Sequence, residues 1–565
     1  MNSSKNASKY WNNVKNKTTT MQRLILSLFL SFSIGYMLPA ASWYVAVNGN
    51  DAHAGTLQQP FLTLTAAIDA ASPGDQIWLR GGQYFSNEIR ISKSNLHISS
   101  YPGKWASIAA PVDIEDISAC LWYDEPEVTG GTLENLDISG GYYYAIKFET
   151  NWDWDNSIPF AQRRGVSQIT VRGCHIHHSG RDAVKLTPAC ANIQIISCEI
   201  DHTGVGPGAQ LDFNAEGIDN VNAPGLHVKD CIIHDIATTG IYIKGGGRDA
   251  VIEQNIIQNC GEGGIYLGFY TDAEWFDTDA NPEYFENING LLMNNIILNT
   301  HHAGIGLWGA KDAKVYNNTV VNTAILEHTP LFFNTTEVWI DENTTARTAS
   351  QNVKILNNIF VQTLQEAGPV VRVRDQALAG NNQIDYNAYY GSSAVHFLDD
   401  QLDWQEWSMA QWQTQTNRDL HSIEADPRLG EDLHLLTGSP CINAGTAAPE
   451  VTLDCDGHSR MDGMMDMGAD EYATVVGIPQ LSTPADHEWK ITGAASDVLN
   501  IEIQSTQNQT INALLMDQQG RVVEQFSWPV TTGKTLRQVP GTRLPAGLYW
   551  LSAPGWPTLK WGMAH

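Results

Sequence analysis

The segments RGCHIHH, ISCEIDH, KDCIIHD, EQNIIQN, MNNIILN, YNNTVVN and LNNIFVQ align without gaps around Cys174, Cys198, Cys231, Asn255, Asn295, Asn318 and Asn358. Their separations are 24, 33, 24, 40, 23 and 40 residues. A short basal period with longer intervals is the mark of one supersecondary unit repeated many times, with loops inserted on some turns. Each unit carries a second strand, AIKF at 145, AVKL at 183, GIDN at 217, GIYI at 240, GIYL at 264 and GIGL at 304. The strands are short and alternating, the corners are Gly and Asn, and no helical period lies between them, so a parallel β-solenoid is favoured over a sandwich or propeller. The Asn column predicts an internal ladder capping turn amides, with the three cysteines replacing it in earlier coils as small core residues.

Alternation along a strand assigns faces. With Ile146, Val184, Ile218, Ile241, Ile265 and Ile305 inward, the next residues form an outward column of Lys147, Lys185, Asp219, Tyr242, Tyr266 and Gly306. Two residues further along, Glu149, Thr187, Val221, Lys244, Gly268 and Trp308 share that face. Two inserted loops are expected to overhang it: residues 204–216, ending in Glu216, and residues 269–286, which interleave aromatics such as Tyr270 and Trp275 with carboxylates. Aromatic faces pack on sugar rings and carboxylates bind hydroxyls or calcium, so this wall predicts a carbohydrate cleft. Tyr266, Tyr270, Trp275 and Trp308 are its substrate-binding candidates. The histidines 177, 178, 202 and 234 recur at one corner and are expected to be stacked turn residues.

The formal charge of −29 over 565 residues excludes a basic nucleic-acid binder. An acidic chain that handles a polyanion needs a local basic groove or bridging divalent cations. Arg23, the apolar run Leu24–Leu38 and the small-residue exit Ala40-Ala41-Ser42 form a signal-peptide pattern behind a polar extension, so export is expected. No later run reaches the length of a membrane span. Cys441 and Cys455 flank a turn-rich segment and are the disulfide candidate. From about Ile478 the character changes to β-rich segments with turn punctuation, VLNIEI, INALLMDQQGRVVEQF and LPAGLYWLS.

The opening YVAVNGNDAHAGT…PFLTLTAAIDAASPGDQIWLRGG, whose second part reads as a short helix capping the open core end, resembles the entry motif of the right-handed parallel β-helix superfamily that includes pectate lyases. The segment HLLTGSPCINAGT…DCDGHSRMDGMMDMGADEY resembles the one that closes such helices. The fold expected is all-β, with an extension and signal peptide over 1–42, a right-handed parallel β-helix over 43–475 and a small C-terminal β-sandwich domain over 478–565. The last domain resembles the sorting domain of type IX secretion cargo through Asp517, Gly520, Arg521, Leu544, Pro545, Gly547 and Tyr549, which implies that secretion machinery as a partner.

At residue level the chain resembles family 9 polysaccharide lyases. Asp182 in DAVKL matches a calcium ligand of that family, and Glu216 and Asp219 in AEGID match two more, with Ala215 in place of another. GIYIKGG resembles the rung that supplies the lysine base, but Tyr242 occupies the matching position and Lys244 lies two residues on. The resemblance implies calcium-dependent β-elimination on a uronic-acid polysaccharide by a secreted monomer. Lys244 is the first candidate base, followed by Lys185, with Tyr242 beside them. A lysine base needs a lowered pKa, which a nearby cation or partial desolvation provides. Two alternatives stand: a glycoside hydrolase pairing Asp219 with Asp272 or Glu274, and a non-catalytic glycan-binding surface protein.

Overall fold

The computed structural model describes residues 40–209, 214–364, 369–392, 394–401, 406–460 and 464–472, then 487–495, 498–517, 522–540, 547–552 and 559–563. The signal-peptide run before Ala40 lies outside them, as do Gly520, Arg521, Leu544 and Pro545 of the sorting motif. Asp517, Gly547 and Tyr549 lie on antiparallel strands, Asp517 opposite Tyr549.

Three long parallel sheets form the solenoid, of 12, 11 and 12 strands among the described residues. One coil shows the path: Gln194–Ile196 in the first sheet, a tight corner, Glu199–Asp201 in the third, the inserted loop, then Ile218–Val221 in the second. The next coil re-enters the first sheet at His227–Lys229, in register with Gln194–Ile196. A single apolar core runs down the axis, including Ile146, Val184, Ile218, Ile241, Ile265 and Ile305, all at 0 % exposure.

The Asn-Asn pairs explain how one corner is built. The first residue of each pair, Asn294, Asn317 or Asn357, adopts the left-handed conformation at φ 56, 53 or 60°, which asparagine tolerates better than most residues. The second turns inward. Asn255 Nδ2 donates to Asn295 Oδ1 at 2.9 Å, Asn295 to Asn318 at 2.9 Å, Asn318 to Asn358 at 2.9 Å and Asn358 to Asn387 at 3.0 Å. The ladder thus runs one coil beyond the aligned repeats, and Cys231 N–H joins it by donating to Asn255 Oδ1 at 2.9 Å.

Both ends of the core are covered. The helix Leu64–Ala70, N-capped by Thr63, buries Leu64, Ala67 and Ile68 at the first coils, as its pattern predicts. At the other end the helix Met409–Thr416 buries Trp412, whose indole donates to the buried Asp419 at 2.9 Å. The closing segment then folds back over the outside of the third sheet. Leu435, Cys441 and Met467 pack with Ile359 and Val361, and Asn294 and Asn317 donate to the carbonyls of Leu453 and Asp466 at 2.7 and 2.8 Å. This packing overturns the disulfide expectation. All eight cysteines are free, because Cys441 is absorbed into that apolar cluster while Cys455 turns its sulfur toward His434 at 3.9 Å. The described residues from His487 onward form two antiparallel sheets around a separate apolar cluster that includes Trp489, Ile501, Leu515 and Trp528.

Candidate functional site

The second sheet presents the predicted column in unbroken register, Lys147, Lys185, Asp219, Tyr242, Tyr266 and Gly306, and extends it to Trp122 before and to Phe332 and Arg372 after. Neighbouring strands hold successive members one rung apart, about 4.8 Å. Residues far apart in sequence therefore become neighbours.

At the centre stand Asp182, Glu216 and Asp219, all buried, with one carboxylate oxygen of each within 4.8 Å of the others. Asp219 is the hub. Its Oδ2 is ion-paired to Lys185 and its Oδ1 lies 3.3 Å from Lys244 Nζ. Lys185 Nζ is also 4.0 Å from Asp182 Oδ2, and Glu216 N–H donates to Asp182 Oδ1 at 3.3 Å. Burial raises the Glu216 carboxyl well above its ordinary range, with Asp182 and Asp219 adding to it. Burial likewise raises Asp182, against the pull of Lys185. For Asp219 the burial effect is outweighed by Lys185 and Lys244, which hold it below the usual carboxylate value.

These charges revise one expectation. Burial works to lower the Lys185 ammonium, but Asp219, Tyr144 and Asp182 outweigh it and keep it above the ordinary lysine range. Its carboxylate neighbours thus favour the ammonium form of Lys185. Lys244 differs in contact: its ammonium sits over the Tyr242 ring at 4.6 Å from the centroid and reaches Asp219 from the next rung.

The aromatic expectations are revised as well. Tyr242, Tyr266 and Trp308 are 2, 1 and 1 % exposed, packed together with Phe332 beneath Phe269. Tyr266 lies 4.6 Å from Trp308 and 5.5 Å from Tyr242 between ring centroids. Their faces are covered, so they are no stacking platform, and burial holds the Tyr242 phenol protonated, far above its ordinary value. The reason is the loop 269–286, which lays Phe269 across them at 5.1 to 6.0 Å. Trp275 is half-buried, with its carbonyl accepting from Asn222 Nδ2 at 2.6 Å. Tyr270 alone of the four is exposed, at 47 %. With Thr271, Asp272, Glu337 and Trp339 it lines a surface hollow.

Several functional positions escape a reading of the repeats. The loop 150–164 joins the loop 269–286, because the Trp152 indole donates to the Glu274 carbonyl at 2.9 Å. Its string NWDWDNS has the same aromatic and acidic mixture as its partner, which is the signal that was there to find. Both loops leave the downstream ends of their strands, whereas residues 214–216 lead into the upstream end of Ile218–Val221. Glu286, fully buried, accepts from Gly245 N–H at 2.6 Å, Thr271 Oγ1 at 2.7 Å and Thr336 Oγ1 at 2.9 Å. It clamps the backbone next to Lys244, and no sequence pattern marks it. Upstream, Arg90 and Lys147 approach the Trp122 ring at 4.6 and 4.4 Å, and Lys147 pairs with Glu149 at 2.7 Å. Arg90, Lys147, Lys185 and Lys244 thus gather cations on one face of an acidic chain.

The solenoid of stacked parallel coils, closed at both ends by helices and with one charged exterior face, has the right-handed parallel β-helix fold. Residues 43–209 match the family model described as Pel9A-like, right handed beta helix region, and residues 216–400 match that described as right handed beta helix region. Pectate lyase PEL9 of Emericella nidulans is 40% identical over 141 residues, 20% of this chain and 34% of that protein. The chain thus matches about a third of the length of this curated relative. Among solved structures, pectate lyase Pel9A is similar at 14% identity with a TM-score of 0.42, covering 78% of this chain and 98% of its own. A rhamnogalacturonan lyase is similar at 13% identity with a TM-score of 0.43, covering 59% and 84%.

Proposed function

We propose that the chain is an exported polysaccharide lyase that cleaves a uronic-acid-containing polymer by β-elimination. The observation that carries this reading is the pairing, on one outer face, of three buried carboxylates with Lys185 and Lys244. A region match to Pel9A-like proteins and partial identity to a pectate lyase support it.

The carboxylate cluster fits a calcium ion in donor chemistry. It offers oxygens only, which suits a hard cation, and Asp182 Oδ2 is buried without a hydrogen-bond partner. Asp182, Glu216 and Asp219 would hold the ion. Bound there, calcium would neutralise the substrate carboxylate and acidify the proton α to it. The chain supplies the rest. Lys185, as an ammonium, attracts the uronate, as do Lys147 and Arg90 further along the face. Lys244 takes the α-proton, the C4–O bond breaks as the C4=C5 double bond forms, and the departing oxygen is protonated by solvent. The hydrolase alternative needs a carboxylate pair free to act, and Asp219 is engaged by lysines on both oxygens.

The test is incubation with pectate and with alginate, following the ultraviolet absorbance of unsaturated uronate ends with and without a calcium chelator. Chelator-sensitive growth of absorbance on either polymer is expected. Reducing ends without absorbance, or binding without either, would overturn the proposal. Export and recognition by type IX secretion machinery belong to the same reading and are checked by locating the chain with and without residues 478–565.

A further inference from the structure

The outer face of the third sheet changes character along the solenoid. In register, one column runs Ser107, Asp137, His175, Glu199, Ile232 and Ile256, and the other Ser139, His177, Asp201, His234 and Gln258. The later coils turn apolar and are covered by the closing segment around Ile359 and Val361. The histidines and carboxylates of these two columns sit on the earlier coils. His177 and His234 are outward strand residues, not turn residues, whereas His178 and His202 occupy left-handed corners at φ 52 and 49° with their rings stacked at 4.9 Å.

We infer that Asp137, His175 and His177 form a three-ligand site for a divalent transition-metal ion of the zinc class, with its remaining positions open to solvent. His175 and His177 stand two residues apart on one strand and project from the same side, with Asp137 on the preceding rung. Asp137 Oδ2 lies 3.5 Å from His175 Nδ1 and 3.2 Å from His177 Nε2. Two ligands each bound at about 2.0–2.1 Å in a tetrahedral arrangement stand about 3.3 Å apart, so the two separations to Asp137 suit one ion, and all three ligand atoms lie within 4.8 Å of one another. The three side chains are 19, 25 and 18 % exposed, which leaves access from solvent.

The second nitrogen of each ring carries the argument further. A ligating histidine donates its other N–H to a carboxylate or similar acceptor, which fixes the tautomer. His175 Nε2 is 2.5 Å from Asp201 Oδ2, and Asp201 Oδ1 is in turn 2.5 Å from His202 Nδ1. His177 Nδ1 is 2.7 Å from His178 Nδ1. With lone pairs at His175 Nδ1 and His177 Nε2 directed to an ion, His175 donates to Asp201 and His177 donates to His178, whose own hydrogen sits on Nε2. Every ring is then neutral and every contact has one hydrogen. The mixed nitrogen and oxygen set also separates this site from the oxygen-only cluster on the second sheet, which suits calcium instead.

The experiment uses the full chain without an affinity tag, stripped with chelator and then titrated with zinc by calorimetry and with cobalt by visible absorbance. One equivalent is expected to bind, with cobalt showing the ligand-field bands of a low-coordinate site. His177→Ala should abolish that uptake, Asp201→Asn should weaken it by about 10- to 100-fold, and Asp182→Asn should leave it unchanged. The near-isosteric Asp137→Asn gives the same reading should His177→Ala misfold. Zinc uptake of unaltered affinity in folded His177→Ala or Asp137→Asn, or no saturable uptake by the wild-type chain, overturns the inference.

Discussion

The outer face of the second sheet carries two surfaces on one backbone. Its earlier coils present Lys147, Lys185 and Asp219, and its later coils present Tyr242, Tyr266 and Phe332 in the same column and register. The charged half keeps its ammonium groups 13 to 17 % exposed and meets solvent between loops. The aromatic half is sealed by Phe269 to 1 or 2 %. A solenoid repeats its geometry and not its chemistry. What separates a reactive rung from an inert one is the loop inserted above it. Lys244 belongs to both halves, since it rides on the Tyr242 ring and reaches Asp219.

The largest expected effect falls on that junction. Lys244→Ala should lower β-elimination turnover by about 10²- to 10⁴-fold, the usual contribution of a positioned acid or base, with the thermal transition little changed. Unsaturated-product absorbance at saturating substrate reads it. Turnover within a few-fold of wild type would remove Lys244 from the chemistry and dissolve the distinction between the halves.

Next comes the aromatic half. Trp308→Ala should destabilise the chain by about 3–5 kcal/mol, because a fully packed ring leaves a cavity that its neighbours fill only in part. Lys147→Ala, on the charged half, should cost about 1 kcal/mol or less. Urea unfolding of both variants measures the contrast, and equal costs would show that the two halves are held alike.

Glu286 ties the halves together and makes that tie depend on pH. Burial raises its carboxyl to about 7 from an ordinary 4.5, against the hydrogen bonds from Gly245, Thr271 and Thr336. A carboxyl whose folded value is raised binds its proton more tightly when folded. Its stabilising contribution is therefore complete below about pH 4.5 and is lost as pH rises through about 7. The shift of about 2.5 units corresponds to about 3 kcal/mol. The stability difference between wild type and Glu286→Gln should drift by that order across this window, with wild type losing ground as pH rises. A difference that is flat with pH would place the titration elsewhere.

Much of this arrangement is legible in the sequence because it is local and periodic. The inward isoleucines, the outward Lys-Lys-Asp-Tyr-Tyr column and the asparagine ladder each recur at fixed spacing, so alignment of coils assigns their faces. Asp182, Glu216 and Asp219 are singled out by the resemblance to family 9 polysaccharide lyases, and the register of their adjoining rungs brings them together. The burial of Tyr266 and Trp308 is not legible there, because alternation says which side of the sheet a ring leaves from and nothing of a loop that folds down over it. The free state of Cys441 and Cys455 is not legible either, because the return of the closing segment onto the third sheet is a long-range contact with no period. Glu286 and the meeting of Trp152 with Glu274 are long-range in the same sense.

The smallest effect concerns Tyr270, where the sealed half reopens. Its ring is 47 % exposed, its hydroxyl accepts from Asn334 Nδ2 at 3.4 Å, and Trp339 stands across the hollow at 78 % exposure. Two exposed aromatics facing one hollow are costly to leave in water unless something packs on them, and the face of a sugar ring does. Tyr270→Ala should leave unfolding within about 0.5 kcal/mol of wild type. It should raise KM roughly threefold to tenfold at constant kcat, matching the about 0.5–1.5 kcal/mol of one stacking contact. An unchanged KM would confine the substrate to the charged half and leave the aromatic half purely structural.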